Sequence, residues 1–158
     1  MLAEPDNSKC AQLIRRVITP LLLPMKSEID KFKNSADKKP SRKAIDAIAD
    51  CLELVGEFLK RCKDLQNRPN IGQNNPLIPI FQDLWPFIDD ILKEFFFDND
   101  ITESACRCIK HSIRALNLSF TPYLNDFLRR IAQGYENSPN GSYVYALENC
   151  FSTFGDLP

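Results

Sequence analysis

Glycine, histidine and tryptophan are scarce in this sequence. The 158 residues include five glycines, one histidine and one tryptophan. So few glycines disfavour a β-rich fold, and no glycine-rich loop or dinucleotide fingerprint is present to hold a phosphate-bearing cofactor. The single imidazole offers no ligand set for zinc, and Cys106-x-Cys108 does not have the spacing of a zinc knuckle. We therefore predict neither a metal site nor a bound cofactor.

The sequence also lacks an excess of charge and a long apolar run. Twenty Lys and Arg residues against 21 Asp and Glu give a net charge of −1, so no overall positive field favours nucleic acid or a membrane surface. No apolar run reaches the roughly 18 residues that a membrane-spanning helix needs, and no secretory leader follows Met1. We interpret the six cysteines as reduced and mostly buried, in a protein of the cytosol or nucleus.

Apolar residues recur at helical spacing along most of the chain. We predict six helices, at about 8–34, 41–65, 76–95, 100–116, 122–135 and 142–154, with a long loop at 66–75. Pro20 and Pro24 should kink or split the first helix. Asp100-x-x-Glu103 resembles a capping box that opens the fourth helix. No segment predicts a strand, so the fold class is all-α.

The third predicted helix is apolar nearly all round, although Pro86 should bend it. A helix in a stacked array contacts its own partner and both neighbours, and so needs a wider apolar surface than a helix in a closed bundle. The sixth helix remains aromatic up to Phe151 and Phe154. We therefore predict an α-solenoid of about three antiparallel pairs, a segment of a longer array, and an irregular six-helix domain is the alternative. The approximate hairpins are 8–65, 76–116 and 122–154.

The fourth helix carries a line of basic side chains, which we call the basic ridge. At 100° per residue, Arg107, Lys110, His111 and Arg114 project within an arc of about 100°. Arginine binds phosphate through two parallel hydrogen bonds and lysine adds a point charge, so the ridge suits a ligand with repeated anionic groups. The alternative is an ordinary solvated helix face.

The second helix carries the opposite pattern, which we call the acidic ridge. Asp46, Asp50, Glu53 and Glu57 share one face, and Asp64 continues it. This ridge could equally be a solvated face. If both ridges line one surface, the hypothesis is a ligand of mixed charge, whose arginines contact the acidic ridge and whose phosphates contact the basic ridge.

Catalysis finds little support in these residues. A nucleophile needs a base beside it, and the only imidazole, His111, lies on a cationic ridge where like charge disfavours proton uptake. Cys108 projects about 60° away from it on the helix. We therefore predict that the protein is not an enzyme.

The stretch Leu84–Leu116 resembles a HEAT repeat: LWPFIDDILKEFFFDNDITESACRCIKHSIRAL has an apolar helix with a proline, an Asp-rich turn and a helix that alternates small, apolar and basic residues. The LWP helix, the DND turn, the CRCIK run with Arg114 and the segment Phe151–Gly155 resemble the karyopherin-β (importin-β) superfamily, most of all its transportin-SR subgroup. The resemblance is clearest over residues 76–155.

This resemblance implies a nuclear transport receptor, a superhelix that carries protein cargo through the nuclear pore, contacts nucleoporins and exchanges its cargo against the GTPase Ran. It implies that the chain comes from the carboxy-terminal half, with the main Ran contacts elsewhere, and that the protein shuttles between cytoplasm and nucleus. It also implies that the second helix of each pair lines the concave face.

In the transportin-SR subgroup, an arginine-rich helix receives Arg-Ser-rich and often phosphorylated cargo. Arg107, Lys110 and Arg114 match that pattern, whereas Ser104 stands where another basic residue is expected. Two alternatives stay open: a HEAT-repeat scaffold unrelated to transport, and an RNA-binding helical repeat. The negative net charge and the lack of interleaved aromatic residues disfavour the second alternative.

Overall fold

A computed structural model of the chain describes residues 7–37, 39–62 and 75–156. Within these ranges there are six α-helices, one 3-10 helix and no strand, so the predicted all-α fold class is confirmed. The α-helices are α1 (Asn7–Asn34), α2 (Arg42–Arg61), α3 (Leu77–Glu94), α4 (Asn99–Leu116), α5 (Leu124–Asn137) and α6 (Gly141–Phe154). The predicted loop lies outside the described residues except for Asn75.

The helices form a two-layered array of antiparallel pairs. One layer contains α1, α3 and α5, and the other contains α2, α4 and α6, with each helix packed against the next one in its layer. We call them the first-helix layer and the second-helix layer. Helices within a layer are parallel: Arg42 near the start of α2 contacts Asp100 near the start of α4, and Gly56 further along α2 lies against Cys108. This arrangement is a helical-repeat solenoid, as predicted.

The core lies between the two layers. The largest completely buried side chains are Tyr143, Phe81, Phe95, Phe120 and Phe127, which come from four different elements and from the turn after α3. Burial of one such side chain stabilises the fold by roughly 1.5–3 kcal/mol. α3 packs against α1, α4 and α5, which explains why its apolar surface is so wide.

The prolines do not split their helices, so of the two outcomes expected for α1, a kink or a split, the split is wrong. Helix α1 continues through Pro20 and Pro24, and α3 continues through Pro86. All three prolines are exposed. A proline on the solvent side leaves its unpaired carbonyl partner to water, while the buried side of the helix keeps its packing.

Two helix starts show how local capping sets the ends. Ser41 accepts a hydrogen bond from the Ala44 backbone N–H at 3.1 Å and begins α2. The carboxylate of Asp98 accepts from the Ile101 backbone N–H at 3.0 Å and begins α4. The predicted capping box at Asp100 is therefore wrong by two residues. Asp100 instead lies in the first turn, where its negative charge interacts favourably with the positive end of the helix dipole.

A 3-10 helix, Asn117–Tyr123, separates α4 from α5 and contains Pro122, where the sequence predicted the start of the fifth helix. Asn117 ends α4 with a φ of 49°, in the left-handed region that asparagine tolerates better than most residues. This turn carries the chain from the second-helix layer back to the first-helix layer.

Candidate functional site

The basic ridge lies on α4, the central helix of the second-helix layer. Arg107 and Arg114 are exposed, and Lys110 is half-buried. His111 is only 6 % exposed, so its predicted place on the ridge is wrong. The physical reason is that α2 packs over His111 at Gly56, where a Cβ would lie 3.6 Å from the imidazole, an ordinary contact distance.

The buried imidazole carries no charge at neutral pH. The pKa of His111 is lowered to about 4, mainly by burial and also by the cations of Lys110, Lys60 and Arg114, against a smaller opposing effect of Glu57. The basic ridge therefore has three fixed cations, on Arg107, Lys110 and Arg114.

The three cations differ in what holds them. Arg107 Nη2 lies 2.5 Å from Glu103 Oε1, one turn earlier on the same helix. Lys110 Nζ lies 2.5 Å from the Tyr145 hydroxyl of α6 and 5.2 Å from the centre of its ring. Arg114 has no ion pair within the part of the chain that the structure describes. An exposed pair within one helix contributes only about 0.3–0.5 kcal/mol, so a ligand can compete for Arg107.

The acidic ridge lies on α2, next to α4. Its four described members, Asp46, Asp50, Glu53 and Glu57, are all exposed, and Asp64 lies outside the described residues. Arg42 holds Asp46 at 2.9 Å, and Lys60 lies 3.6 Å from Glu57. Within the described ranges, Asp50 and Glu53 have no ion-pair partner. Half of the ridge therefore has unneutralised carboxylates.

A shallow groove between α2 and α4 brings the two ridges together. Glu53 and Glu57 line one side, Ser104 and Arg107 line the other, and His111 lies at the bottom. The enclosed space is about 20 Å³, which holds no more than one water molecule. The groove is thus a charged surface for an extended ligand and does not enclose a small molecule.

A second groove, between α4 and α6, is wider. It has a volume of about 330 Å³ and is lined by Glu103, Arg107, Gly141, Ser142 and Tyr145. The three residues from α6 were not predicted from the sequence. A signal existed for Tyr145: it lies two residues after the buried Tyr143, which places it on the opposite face of the helix.

The thiols on α4 are not placed for nucleophilic chemistry. Burial raises the pKa of Cys106 and of Cys108 to about 12 each, so both remain protonated at neutral pH. All six cysteines of the chain are free thiols. Four of them are buried, and Cys10 and Cys62 are half-buried, in agreement with the prediction that most of them are buried.

Among the described residues, no group of three or more His, Cys, Asp and Glu side chains is arranged to hold a metal ion. In the same ranges, no helix has both the length and the apolar character needed to cross a membrane.

Two layers of helix pairs with a charged second layer define a helical-repeat protein of the kind that binds other macromolecules through a surface. The family described as the Transportin-3/Importin-13 fourth TPR domain matches residues 75–157, slightly more than half of the chain. The chain therefore belongs to the transportin-3/importin-13 family, within the karyopherin-β superfamily of transport receptors. TPR and HEAT units are both antiparallel helix pairs that stack into superhelices, so the family and the fold agree.

An uncharacterised protein of Schizosaccharomyces pombe is 26 % identical to the chain over 117 residues. The alignment covers 73 % of this chain and 12 % of the yeast protein, so the chain spans about an eighth of the length of this relative. No solved structure matches the chain.

Proposed function

We propose that this chain is a cargo-binding segment of a nuclear transport receptor, and that its second-helix layer binds Arg-Ser-rich protein segments, including phosphorylated ones. Family membership supports the transport role. One observation carries the cargo class. Within the described ranges, Arg107, Lys110 and Arg114 form no ion pair to another helix, and Arg107 lines the same groove as Glu53 and Glu57 of the acidic ridge.

An extended peptide matches the two ridges by its own geometry. Successive side chains of an extended chain point to opposite sides, so an alternating Arg-Ser segment directs all its arginines one way and all its serines the other. In the groove between α2 and α4, the arginines contact Asp50, Glu53 and Glu57, and phosphorylated serines contact Arg107 and Arg114. A charge-assisted hydrogen bond is about twice as strong as a neutral one, so both rows contribute.

The same proposal assigns the remaining functions to the longer protein. There, the main Ran contacts lie outside this segment, and nucleoporins are further partners. The second helices line the concave face, and the receptor shuttles between cytoplasm and nucleus. The segment contributes cargo contacts and no chemical step.

The test is a titration of the chain with Arg-Ser peptides, phosphorylated and unphosphorylated, at physiological salt. We expect the double variant Arg107→Ala/Arg114→Ala to bind the phosphorylated peptide at least tenfold more weakly, because charge-assisted hydrogen bonds contribute about 1.5–3 kcal/mol each. Glu53→Lys/Glu57→Lys should weaken the binding of both peptides, because it places cations opposite the peptide arginines.

Arg129→Ala is the matched control. Arg129 is an exposed arginine that pairs with Asp126 at 3.7 Å within α5, in the first-helix layer. Its substitution removes the same charge from a surface that does not contact the peptide in this proposal. Equal affinity of all variants for the phosphorylated peptide contradicts the proposal. A generic scaffold would ignore the peptides, and an RNA-binding repeat would prefer an oligonucleotide with steep salt dependence.

A further inference from the structure

The groove between α4 and α6 is lined mainly by hydrogen-bond donors. Its volume is about 330 Å³, and its α6 side begins at Gly141 and Ser142. A Cβ placed on Gly141 would meet no heavy atom within 4 Å, so the groove is open at this end. The first turn of α6 contains no acidic residue, which leaves the partial positive charge of the helix N-terminus uncompensated.

Tyr145 lines this groove and has a hydroxyl hydrogen that it does not use in its contact with Lys110. An ammonium group can only donate, so in the bond between Lys110 and Tyr145 the phenol oxygen is the acceptor. The phenol O–H therefore remains available as a donor, and the neighbouring cation polarises it. Among the described residues, this O–H has no acceptor.

Arg107 and Ser142 add further donors. The Arg107 guanidinium has five N–H groups, and Glu103 accepts from one of its terminal nitrogens. The side chain of Arg107 is 48 % exposed. The Ser142 backbone N–H donates to the Asn140 side chain, while its hydroxyl has no partner in the part of the chain that the structure describes.

We propose that this groove binds the phosphoryl group of a phosphoserine in the ligand, held by Arg107, Tyr145 and Ser142. This inference rests on the proposed function and extends the binding surface to α6. Donors that converge from two helices suit the three terminal oxygens of a phosphate monoester better than the two coplanar oxygens of a carboxylate.

Glu103 makes the groove selective for the residue next to the phosphoserine. Its carboxylate repels a free anion, so inorganic phosphate alone binds weakly. An arginine adjacent to the phosphoserine can contact Glu103 while the phosphate takes over Arg107. The ion pair between Arg107 and Glu103 is then replaced by two pairs with the peptide, so that both side chains remain neutralised.

The experiment compares three peptides of one Arg-Ser sequence: phosphorylated, unphosphorylated, and with aspartate at each phosphoserine. Tyr145→Phe keeps the ring and removes only the hydroxyl. We expect this variant to bind the phosphorylated peptide about five- to tenfold more weakly, the effect of one hydrogen bond to a charged group. Its affinity for the other two peptides should change less than about twofold. Ser142→Ala should act in the same direction.

Tyr135→Phe is the matched control, since it removes a hydroxyl from another exposed tyrosine, on α5 in the other layer. No loss of affinity in Tyr145→Phe, or an equal loss for all three peptides, overturns the groove assignment. If Arg107→Ala/Arg114→Ala weakens binding while the α6 variants do not, only this inference fails. If the unaltered chain binds none of the peptides, the proposed function fails together with it.

Discussion

The two helix layers use their charged residues in different ways. In the first-helix layer, ion pairs join neighbouring helices: Arg15–Asp83 at 3.0 Å and Lys33–Asp90 at 2.7 Å join α1 to α3, and Arg130–Asp89 joins α3 to α5. The last pair is bidentate, with contacts of 2.6 and 3.1 Å, and is partly buried. These charges hold the repeats together.

In the second-helix layer, most pairs are local or absent. Arg107 pairs within α4 and Lys60 lies near Glu57 within α2, while Arg114 has no ion pair in the described ranges. The exception is Arg42, which contacts Asp100 and joins the starts of α2 and α4. A charge committed between helices stabilises the array, whereas a charge paired within one exposed helix can exchange its partner for a ligand.

The largest expected effect concerns His111, which is buried at the bottom of the charged groove between α2 and α4. Its pKa is lowered from 6.5 to about 4 in the folded protein. As the pH falls, the histidine of the unfolded chain therefore binds a proton at a higher pH than the histidine of the folded chain. The stability due to the neutral imidazole is complete above pH 6.5 and is lost as the pH falls towards 4. We expect a loss of up to about 3 kcal/mol over this window.

Denaturant unfolding at several pH values measures this loss, with His111→Gln as the comparison because glutamine does not titrate. The two proteins are otherwise identical, so the difference between the two curves reports the histidine. Parallel curves would mean that the imidazole is exposed on the basic ridge after all.

The second prediction compares two glycines at helix contacts. A Cβ on Gly134 of α5 would lie 2.6 Å from the ring of the buried Tyr143. We expect Gly134→Ala to lower the free energy of unfolding by about 1–3 kcal/mol, since neither helix can move without losing packing.

Gly56→Ala is the matched substitution in the second-helix layer. A Cβ at Gly56 would lie 3.5 Å from the Cys108 Cα and 3.6 Å from the His111 ring, which are ordinary contact distances. The gain in helix propensity should therefore leave its stability unchanged or raise it by up to about 1 kcal/mol. Thermal or chemical denaturation of both variants checks the pair, and equal destabilisation would contradict the difference between the two contacts.

The third prediction tests the two layers directly. Arg130→Ala should lower the free energy of unfolding by about 1–2 kcal/mol, because it leaves the partly buried Asp89 without its bidentate partner. Arg107→Ala should lower it by less than about 0.5 kcal/mol, because its partner is exposed and lies on the same helix.

Urea titrations give both changes in the free energy of unfolding. In the peptide-binding assay we expect the opposite order: Arg107→Ala weakens binding, and Arg130→Ala leaves it unchanged. If Arg107→Ala proves as destabilising as Arg130→Ala, the charge on α4 is structural, and the comparison between the layers fails.

Much of this architecture follows from local patterns. The period of Ile48, Leu52, Val55 and Leu59 predicts α2, and all four residues are buried. Ser41 caps α2, at the start predicted for it. The wide apolar surface of α3 predicts contacts on several sides, and the helix has neighbours in both layers. The acidic and basic ridges lie on adjacent helices, because alternate helices of a repeat array share a layer.

The errors have a common origin. A helical projection gives the direction of a side chain about the axis, but it does not say how closely the next helix approaches. His111 shares an arc with Arg107 and Arg114, yet α2 covers it at Gly56. Tyr145 was missed because its role in the groove depends on its contact with Lys110, which lies 35 residues away in the chain. A helical projection of either helix does not show that contact.

The amino-acid sequence by itself determined the helices, their order and the alternation of the two layers, because apolar period and most end signals act within a few residues. The tertiary structure alone decided which charges are committed between helices, which imidazole is neutral, and which groove has free donors. Those properties depend on distances of a few ångströms between segments remote in sequence, and solvation and hydrogen bonding change steeply over that range.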